Sequence, residues 1–448
     1  MESSFIQRDL NVLWHPCTQM KDHETLPPIP IKRGEGVWLE DFEGRRYIDA
    51  ISSWWVNIFG HANPRINKAL KIQLDTLEHV ILAGFSHEPV LLLSERLVQI
   101  TPANLDRCFY ADNGSSAIEV ALKMSFHYWR NKGQHKKTRF ITLSNSYHGE
   151  TLGALSVGNV DLYRDIYGPL LLDTLVAPSP DCFNRKPDTS WEEHSCQQFN
   201  VMERLLETHA EEVCAVIVEP LVQCAGYMRM YHPVYLSLLR EACDRYGVHL
   251  IADEIAVGFG RTGTMFACEQ ADISPDFMCL SKGLTGGYLP LSVTLTSNEI
   301  YDAFYDDYEN LTAFLHSHSY TGNPLGCTAA LATLDIFSEQ PVLENNAKLS
   351  DHTFQLTSDL INHPHVAEVR QQGMILAIEM IKNKSKKEPY PWQERRGLIV
   401  YKHALNQGVL LRPLGNVIYI MPPYIITSEE IETVVCAARE GIDLATRD

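Results

Sequence analysis

The sequence has no excess of basic residues, no closely paired cysteines and no long apolar run, and each lack removes a class of protein. Lys plus Arg number 38 against 56 Asp plus Glu, a formal charge of −18. The molecule as a whole repels a polyanion, so nucleic acid is not expected as a partner. The eleven cysteines are scattered, none within four residues of another. That spacing excludes Cys-x-x-Cys zinc ribbons and thioredoxin-type redox pairs, and the odd count in a long chain predicts reduced, mostly buried thiols. No run approaches the roughly 18 apolar residues of a membrane span, so no membrane partner is expected. The start, Met1-Glu2-Ser3-Ser4-Phe5-Ile6-Gln7-Arg8-Asp9, carries acids and no apolar stretch, which predicts a cytoplasmic protein without a secretory signal. His15, His61, His316 and His318 lack metal-ligand spacing, and no metal is expected.

What is present is a chain of 448 residues, 45% hydrophobic and 21% charged, enough for two or three domains of about 150 residues or one large core with an appended lobe. Val213 to Val218 is an apolar, β-branched run closed by Glu219-Pro220. Tyr235 to Tyr246 has helical spacing, and Val248 to Ile251 is a second short apolar run. Strand, helix, strand alternation predicts a mostly parallel sheet covered by helices. The ends differ in texture. Pro27, Pro28 and Pro30 stiffen one segment, Gly36 to Asp49 reads as a hairpin, and Leu411 to Ile420 reads as two short strands about a turn. The expectation is a small α+β domain formed by 1–52 and 336–448 around a large domain formed by 53–335.

The first chemical signal is Leu250-Ile251-Ala252-Asp253-Glu254, followed by Lys282 after the apolar stretch Phe277-Met278-Cys279-Leu280. An acid just past a buried strand stands where the mouths of an α/β sheet open on a crevice. Taken alone, the two charges are better explained as a structural ion pair or as two solvated charges. Lys282, however, leaves a desolvated strand for a loop containing Gly283, Gly286 and Gly287, and desolvation makes a lysine amine a usable nucleophile toward a carbonyl. An aldehyde cofactor such as pyridoxal phosphate needs that lysine, together with a carboxylate for its pyridine nitrogen. Cys108 to Glu119 supplies a strand, a turn at Gly114-Ser115-Ser116 and a helix start. Its N–H groups suit a phosphate, and Ser116 with Glu119 fits a capping box. Tyr147 offers a ring face for stacking. Gly258-Phe259-Gly260-Arg261-Thr262-Gly263 matches a dinucleotide-binding pattern literally, but no amphipathic helix follows at once; a loop along the crevice edge is expected instead. Trp54 and Trp55 suit a wall for an aliphatic chain, and Arg412, with Pro413 and Gly415 shaping its loop, suits a carboxylate clamp.

Together these segments resemble the fold-type I, class III pyridoxal-phosphate aminotransferases. The resemblance rests on Val218-Glu219-Pro220, Leu250 to Ile255, Gly258 to Gly263 and Asp276 to Lys282, and it spans essentially the whole chain. It implies a mostly parallel seven-stranded sheet flanked by helices, with pyridoxal 5'-phosphate bound at the strand mouths. Lys282 would carry the cofactor and move the proton, Asp253 would pair with the pyridine nitrogen, Tyr147 would stack, Gly114 and Ser115 would hold the phosphate, and Glu219 would also bind the cofactor. It further implies a homodimer in which Ser317, His318 and Ser319 reach the neighbouring subunit's site. Trp14 to Met20, Ser52 to Trp55, Arg229 to Pro233 and Arg412 to Gly415 are similar to the branch that aminates 8-amino-7-oxononanoate in biotin biosynthesis. In that branch Trp54 and Trp55 would line the substrate chain, Arg412 would bind its carboxylate, and S-adenosylmethionine would be the amino donor. Cys17 stands where that branch usually has Tyr, which leaves L-lysine as the alternative donor. Another ω-aminotransferase, acting on ornithine or 4-aminobutyrate, and a non-catalytic protein of the same fold are the competing readings.

Overall fold

The computed structural model describes residues 2–447; Met1 and Asp448, the outer ends of the two expected small-domain segments, lie outside the described residues. A seven-stranded sheet forms the centre, in the spatial order Arg107–Ala111, Ser292–Thr296, Phe277–Leu280, His249–Asp253, Val213–Val218, Arg139–Leu143, Leu175–Ala177. Ser292–Thr296 runs antiparallel to both its neighbours, and the remaining pairings are parallel. The interior strand Val213–Val218 is buried at all six positions, as an unbroken apolar run requires when helices cover both faces. The helix Val234–Tyr246 returns the chain to the sheet and stops at Gly247, whose φ of 61° terminates it in the left-handed conformation. The next strand, His249–Asp253, follows directly and delivers Asp253 at the sheet's mouth.

The two ends of the sequence meet in a four-stranded sheet. Ile31–Glu35, Trp38–Asp41 and Arg46–Asp49 form an antiparallel meander, and Val409–Leu410 joins Arg46–Asp49 in parallel. The hairpin expected within Gly36 to Asp49 is therefore present as the Trp38–Asp41 and Arg46–Asp49 pair. The expected pair of strands across Leu411 to Ile420 reduces to a single antiparallel bridge between Leu414 and Val417. Val409–Leu410 belongs to the four-stranded sheet, while Val417–Ile420 pairs with Ile375–Met380 in a separate three-stranded sheet with Val366–Gln372. Arg412 and Pro413 lie on the irregular segment that links the two sheets.

A second expectation fails at the helix Gly114–Asn131. Its cap is Asn113, whose Oδ1 accepts the Ser116 N–H at 3.1 Å. Glu119 does not fold back on Ser116; it accepts the N–H groups of Gly153 and Ala154 at 2.7 and 3.3 Å and so caps the next short helix, Leu152–Ser156. Asn at the cap position already supplies the acceptor, which frees Glu119 for a longer-range role. All eleven cysteines are free thiols. Among the described residues no helix is long and apolar enough to cross a membrane.

Candidate active site

Two cavities share Trp55, Tyr147 and Lys282 and together open at the mouths of the central strands. The inner one, about 310 Å³, brings together Gly114, Ser115, Tyr147, Glu219, Asp253 and Lys282. The outer one, about 460 Å³, is walled by Cys17, Trp54, Glu150, Tyr163, Arg412 and Tyr419. Ser317, His318 and Ser319 line neither. His318 instead stands 3.3 Å from Asp112 and stacks edge-on with His316.

On the inner floor, Asp253 ends its strand and Lys282 follows the neighbouring strand Phe277–Leu280, so the sheet itself sets them side by side. Lys282 adopts a positive φ of 45° at the start of a short 3₁₀ turn, and its Nζ lies 5.2 Å from the Trp55 ring centre. Burial holds the amine's pKa below the ordinary lysine value, against the opposing pull of Asp253, Cys224 and Glu219. Asp253 accepts the Ile255 N–H at 3.1 Å and is 2.7 Å from Nδ1 of buried His148. An ionised carboxylate accepts, so His148 donates from Nδ1. Glu219 accepts the N–H groups of Tyr147 and Cys224 at 2.9 and 3.0 Å. Burial, reinforced by the nearby Asp253 charge, pushes its pKa well above the carboxylate range.

The floor has the dimensions of a cradle for a small phosphorylated ring. Gly149, at φ +125°, lets the main chain pass so close to Ser115 that an added Cβ would lie 2.0 Å from its Oγ. Ser115 Oγ accepts the Glu150 N–H at 3.2 Å. The first turn of Gly114–Asn131 thus faces the cavity with its amides, a natural anion site, opposite a desolvated amine and a buried carboxylate. This donor set fits pyridoxal phosphate.

The outer wall is assembled from both ends of the chain. The Arg412 guanidinium lies 4.7 Å above the Trp54 ring and donates to the Cys17 carbonyl at 3.3 Å. Trp54 remains 39% exposed while Trp55 is 4% exposed, so one indole borders the mouth and the other closes the floor. Tyr147 donates to Glu150 at 3.1 Å and packs edge-on against Tyr163. Cys17 Sγ lies 3.9 Å from the same Glu150 carboxylate. Burial and that carboxylate raise the pKa of the Cys17 thiol. The six-residue glycine loop enters no α-helix; the next helical element is the short 3₁₀ turn Ala267–Ala271. Arg261 of that loop is buried and donates to the carbonyls of Pro422, Trp55 and Asn57.

Sequence reasoning gave no role to His148, Glu150, Tyr163 or Tyr419. His148 follows Tyr147 directly and Glu150 lies three residues after it, so a histidine beside a cofactor tyrosine was the available signal. Tyr163 and Tyr419 carry none, because only the fold brings them to the mouth.

The aminotransferase class-III family model matches residues 19–439. The chain is a class-III aminotransferase. It is 52% identical to the adenosylmethionine-8-amino-7-oxononanoate aminotransferase of Helicobacter pylori, over 97% of each chain. The crystal structure of the adenosylmethionine-8-amino-7-oxononanoate aminotransferase of Methanocaldococcus jannaschii superposes with a TM-score of 0.94 at 39% identity, covering 99% of both chains. An omega transaminase of Pseudomonas jessenii in complex with PMP superposes with a TM-score of 0.93 at 29% identity, covering 98% of both chains. Class-III aminotransferases use pyridoxal phosphate, and the cradle described above fits it.

Proposed function

We propose that this aminotransferase moves an amino group from S-adenosylmethionine to 8-amino-7-oxononanoate, giving 7,8-diaminononanoate for biotin synthesis. The observation that carries the reading is the joined cavity: a desolvated amine at its floor, indole and phenol rings along its length, and the Arg412 guanidinium at its mouth. An acceptor with a ketone near one end of an aliphatic chain and a carboxylate at the other matches that order. The activity named for the Helicobacter pylori and Methanocaldococcus jannaschii proteins supports it.

Pyridoxal phosphate, when bound, would supply an electron sink for negative charge developing at the substrate carbon. Lys282 Nζ, whose basicity burial lowers, would be the base that takes the proton from the substrate carbon and delivers it to the cofactor carbon across the intervening nitrogen. Asp253, oriented by His148, stabilises positive charge on the ring nitrogen. Tyr147 fixes the ring plane, and the amides of Gly114 and Ser115 hold the phosphate, with Glu219 bracing the Tyr147 main chain. Trp54 and Trp55 exclude water along the chain, and Arg412 clamps the carboxylate.

L-lysine is the second reading for the donor, favoured by Cys17, which gives the outer wall a small thiol where an aromatic side chain would stack. A homodimer is proposed with Ser317, His318 and Ser319 reaching the neighbouring subunit. The exposure of Tyr308 and Leu315 just ahead of that loop, at 91% and 90%, supports a partner there. The domain limits 1–52 with 336–448, and 53–335, and a cytoplasmic location complete the reading; pairing of Val409–Leu410 with Arg46–Asp49 supports the first. The test follows the visible absorbance of the bound cofactor after S-adenosylmethionine or L-lysine is added separately. Bleaching by one donor and recovery with 8-amino-7-oxononanoate is expected. No bleaching by either, or recovery only with 2-oxoglutarate, overturns the proposal.

A further inference from the structure

Ser52, Ser53, Trp54 and Trp55 lie consecutively in the left-handed region, with φ of 52°, 45°, 72° and 72°. Single L-residues enter that region at a cost, and a run of four non-glycine residues does not hold itself there. Something outside the run must fix it, and what it fixes is the indole wall of the outer cavity.

The fixing group is Asp49. Its side chain is fully buried. Oδ1 accepts the Ser53 N–H at 2.9 Å, and Oδ2 accepts the Ser53 hydroxyl at 2.7 Å and lies 3.0 Å from Nε2 of His61. A carboxylate has acceptor sites for all three donors, which no neutral side chain of that length offers. The Ser52 hydroxyl adds a tie to the Met421 carbonyl at 2.8 Å.

Asp49 also stands at the root of the second half of the wall. It ends the strand Arg46–Asp49 and is registered directly against Leu410 in the parallel pair, two residues before Arg412. The chain leaving Asp49 delivers Trp54, the chain leaving Leu410 delivers Arg412, and the two side chains meet as a stack at 4.7 Å. We propose that Asp49 is a positioning residue for the carboxylate end of the substrate, setting the Trp54–Arg412 stack through Ser53 without touching the substrate itself. The inference rests on the reading of Arg412 as the carboxylate clamp.

The test uses the holoenzyme carrying Asp49→Ala or Ser53→Ala, each alone and combined with Arg412→Ala. KM and kcat are measured with 8-amino-7-oxononanoate and with an amino ketone of the same length lacking the carboxylate. Expected is a rise in KM for the keto acid of about tenfold for Asp49→Ala and about threefold for Ser53→Ala, the scale of hydrogen bonds that hold a charged contact. The change in kcat is expected to stay below about twofold, and the loss to vanish on the Arg412→Ala background, as coupled neighbours require. Equal losses on both ketones, or additivity with Arg412→Ala, would mean a merely structural role and overturn the proposal. If Asp49→Ala fails to fold, Ser53→Ala decides: a wild-type KM overturns it. An Arg412→Ala protein with unchanged keto-acid KM overturns the reading of that end, and the proposal with it. A raised KM there beside an additive Asp49 effect overturns the proposal alone.

Discussion

Asp253 ends, and Lys282 follows, two adjacent parallel strands of the central sheet, whereas Trp54 on the left-handed turn Ser52–Trp55 and Arg412 on an irregular loop come from opposite ends of the sequence. The floor is placed by backbone ladders, with the Asp253 strand registered residue by residue against Phe277–Cys279. The wall rests on one two-residue ladder, Asp49 against Leu410, and is otherwise placed by side chains: Asp49 on Ser53, Trp55 Nε1 on the Tyr419 hydroxyl at 3.1 Å, Arg261 on the Trp55 carbonyl. The ends of interior strands hold a group to a fraction of an ångström and tolerate little change, which suits bond-making groups. A wall held by a few side-chain hydrogen bonds can be refitted to another molecule without disturbing the chemistry. One site that must accept two different substrates in turn benefits from that division.

The division predicts that changes on the floor act on turnover and changes on the wall act on binding. Lys282→Ala is expected to lower kcat by more than about 10⁴-fold, since the nucleophile and the proton carrier are lost together. Single-turnover measurements with either donor would show it, and a variant within tenfold of wild type would remove Lys282 from the chemistry. Arg412→Ala is expected to raise KM for the keto acid by roughly 10- to 100-fold, about 1.4–3 kcal/mol for one charge-assisted contact. The donor half-reaction should change far less. Equal losses in both half-reactions would dissolve the contrast between floor and wall.

The same contrast explains what the sequence disclosed. Floor residues follow buried strands whose apolar runs are visible as text: Val213 to Val218 announces Glu219, Leu250 to Ala252 announces Asp253, and Phe277 to Leu280 announces Lys282. Wall residues carry no such herald. Trp54, Trp55 and Arg412 were legible as residue types suited to a long carboxylate-bearing substrate, but their stacking depends on a parallel pairing between Arg46–Asp49 and Val409–Leu410 that no local pattern encodes. Glu119 shows the opposite error: a local pattern suggested a capping box, and tertiary structure used the carboxylate 34 residues away at Gly153. His148 was hidden differently, because its partnership with Asp253 spans 105 residues of sequence.

A further expected effect, on stability and not on turnover or binding, concerns the price of burying acid beneath the floor, and it separates chain neighbours. Asp253 faces the cavity, whereas Glu254 is fully buried and accepts the N–H groups of Ala267 and Cys268 at 3.0 and 2.8 Å. Burial pushes its pKa from 4.5 up to about 7. Between those two values the folded chain keeps a proton that the unfolded chain has lost, so this group's contribution to stability falls as pH rises through the window, at most about 1.4 kcal/mol per pH unit. His249, held down to about 4 by burial from an ordinary 6.5, acts in the opposite direction between those values, but it is common to any pair of proteins differing only at Glu254 and cancels in their difference. Glu254→Gln cannot titrate. Its stability relative to wild type is therefore expected to climb between about pH 5 and 7 and to level off above, read from urea unfolding of both proteins across that range. Parallel curves would show that Glu254 is ionised throughout, and that the floor bears its buried carboxylates by hydrogen bonding alone.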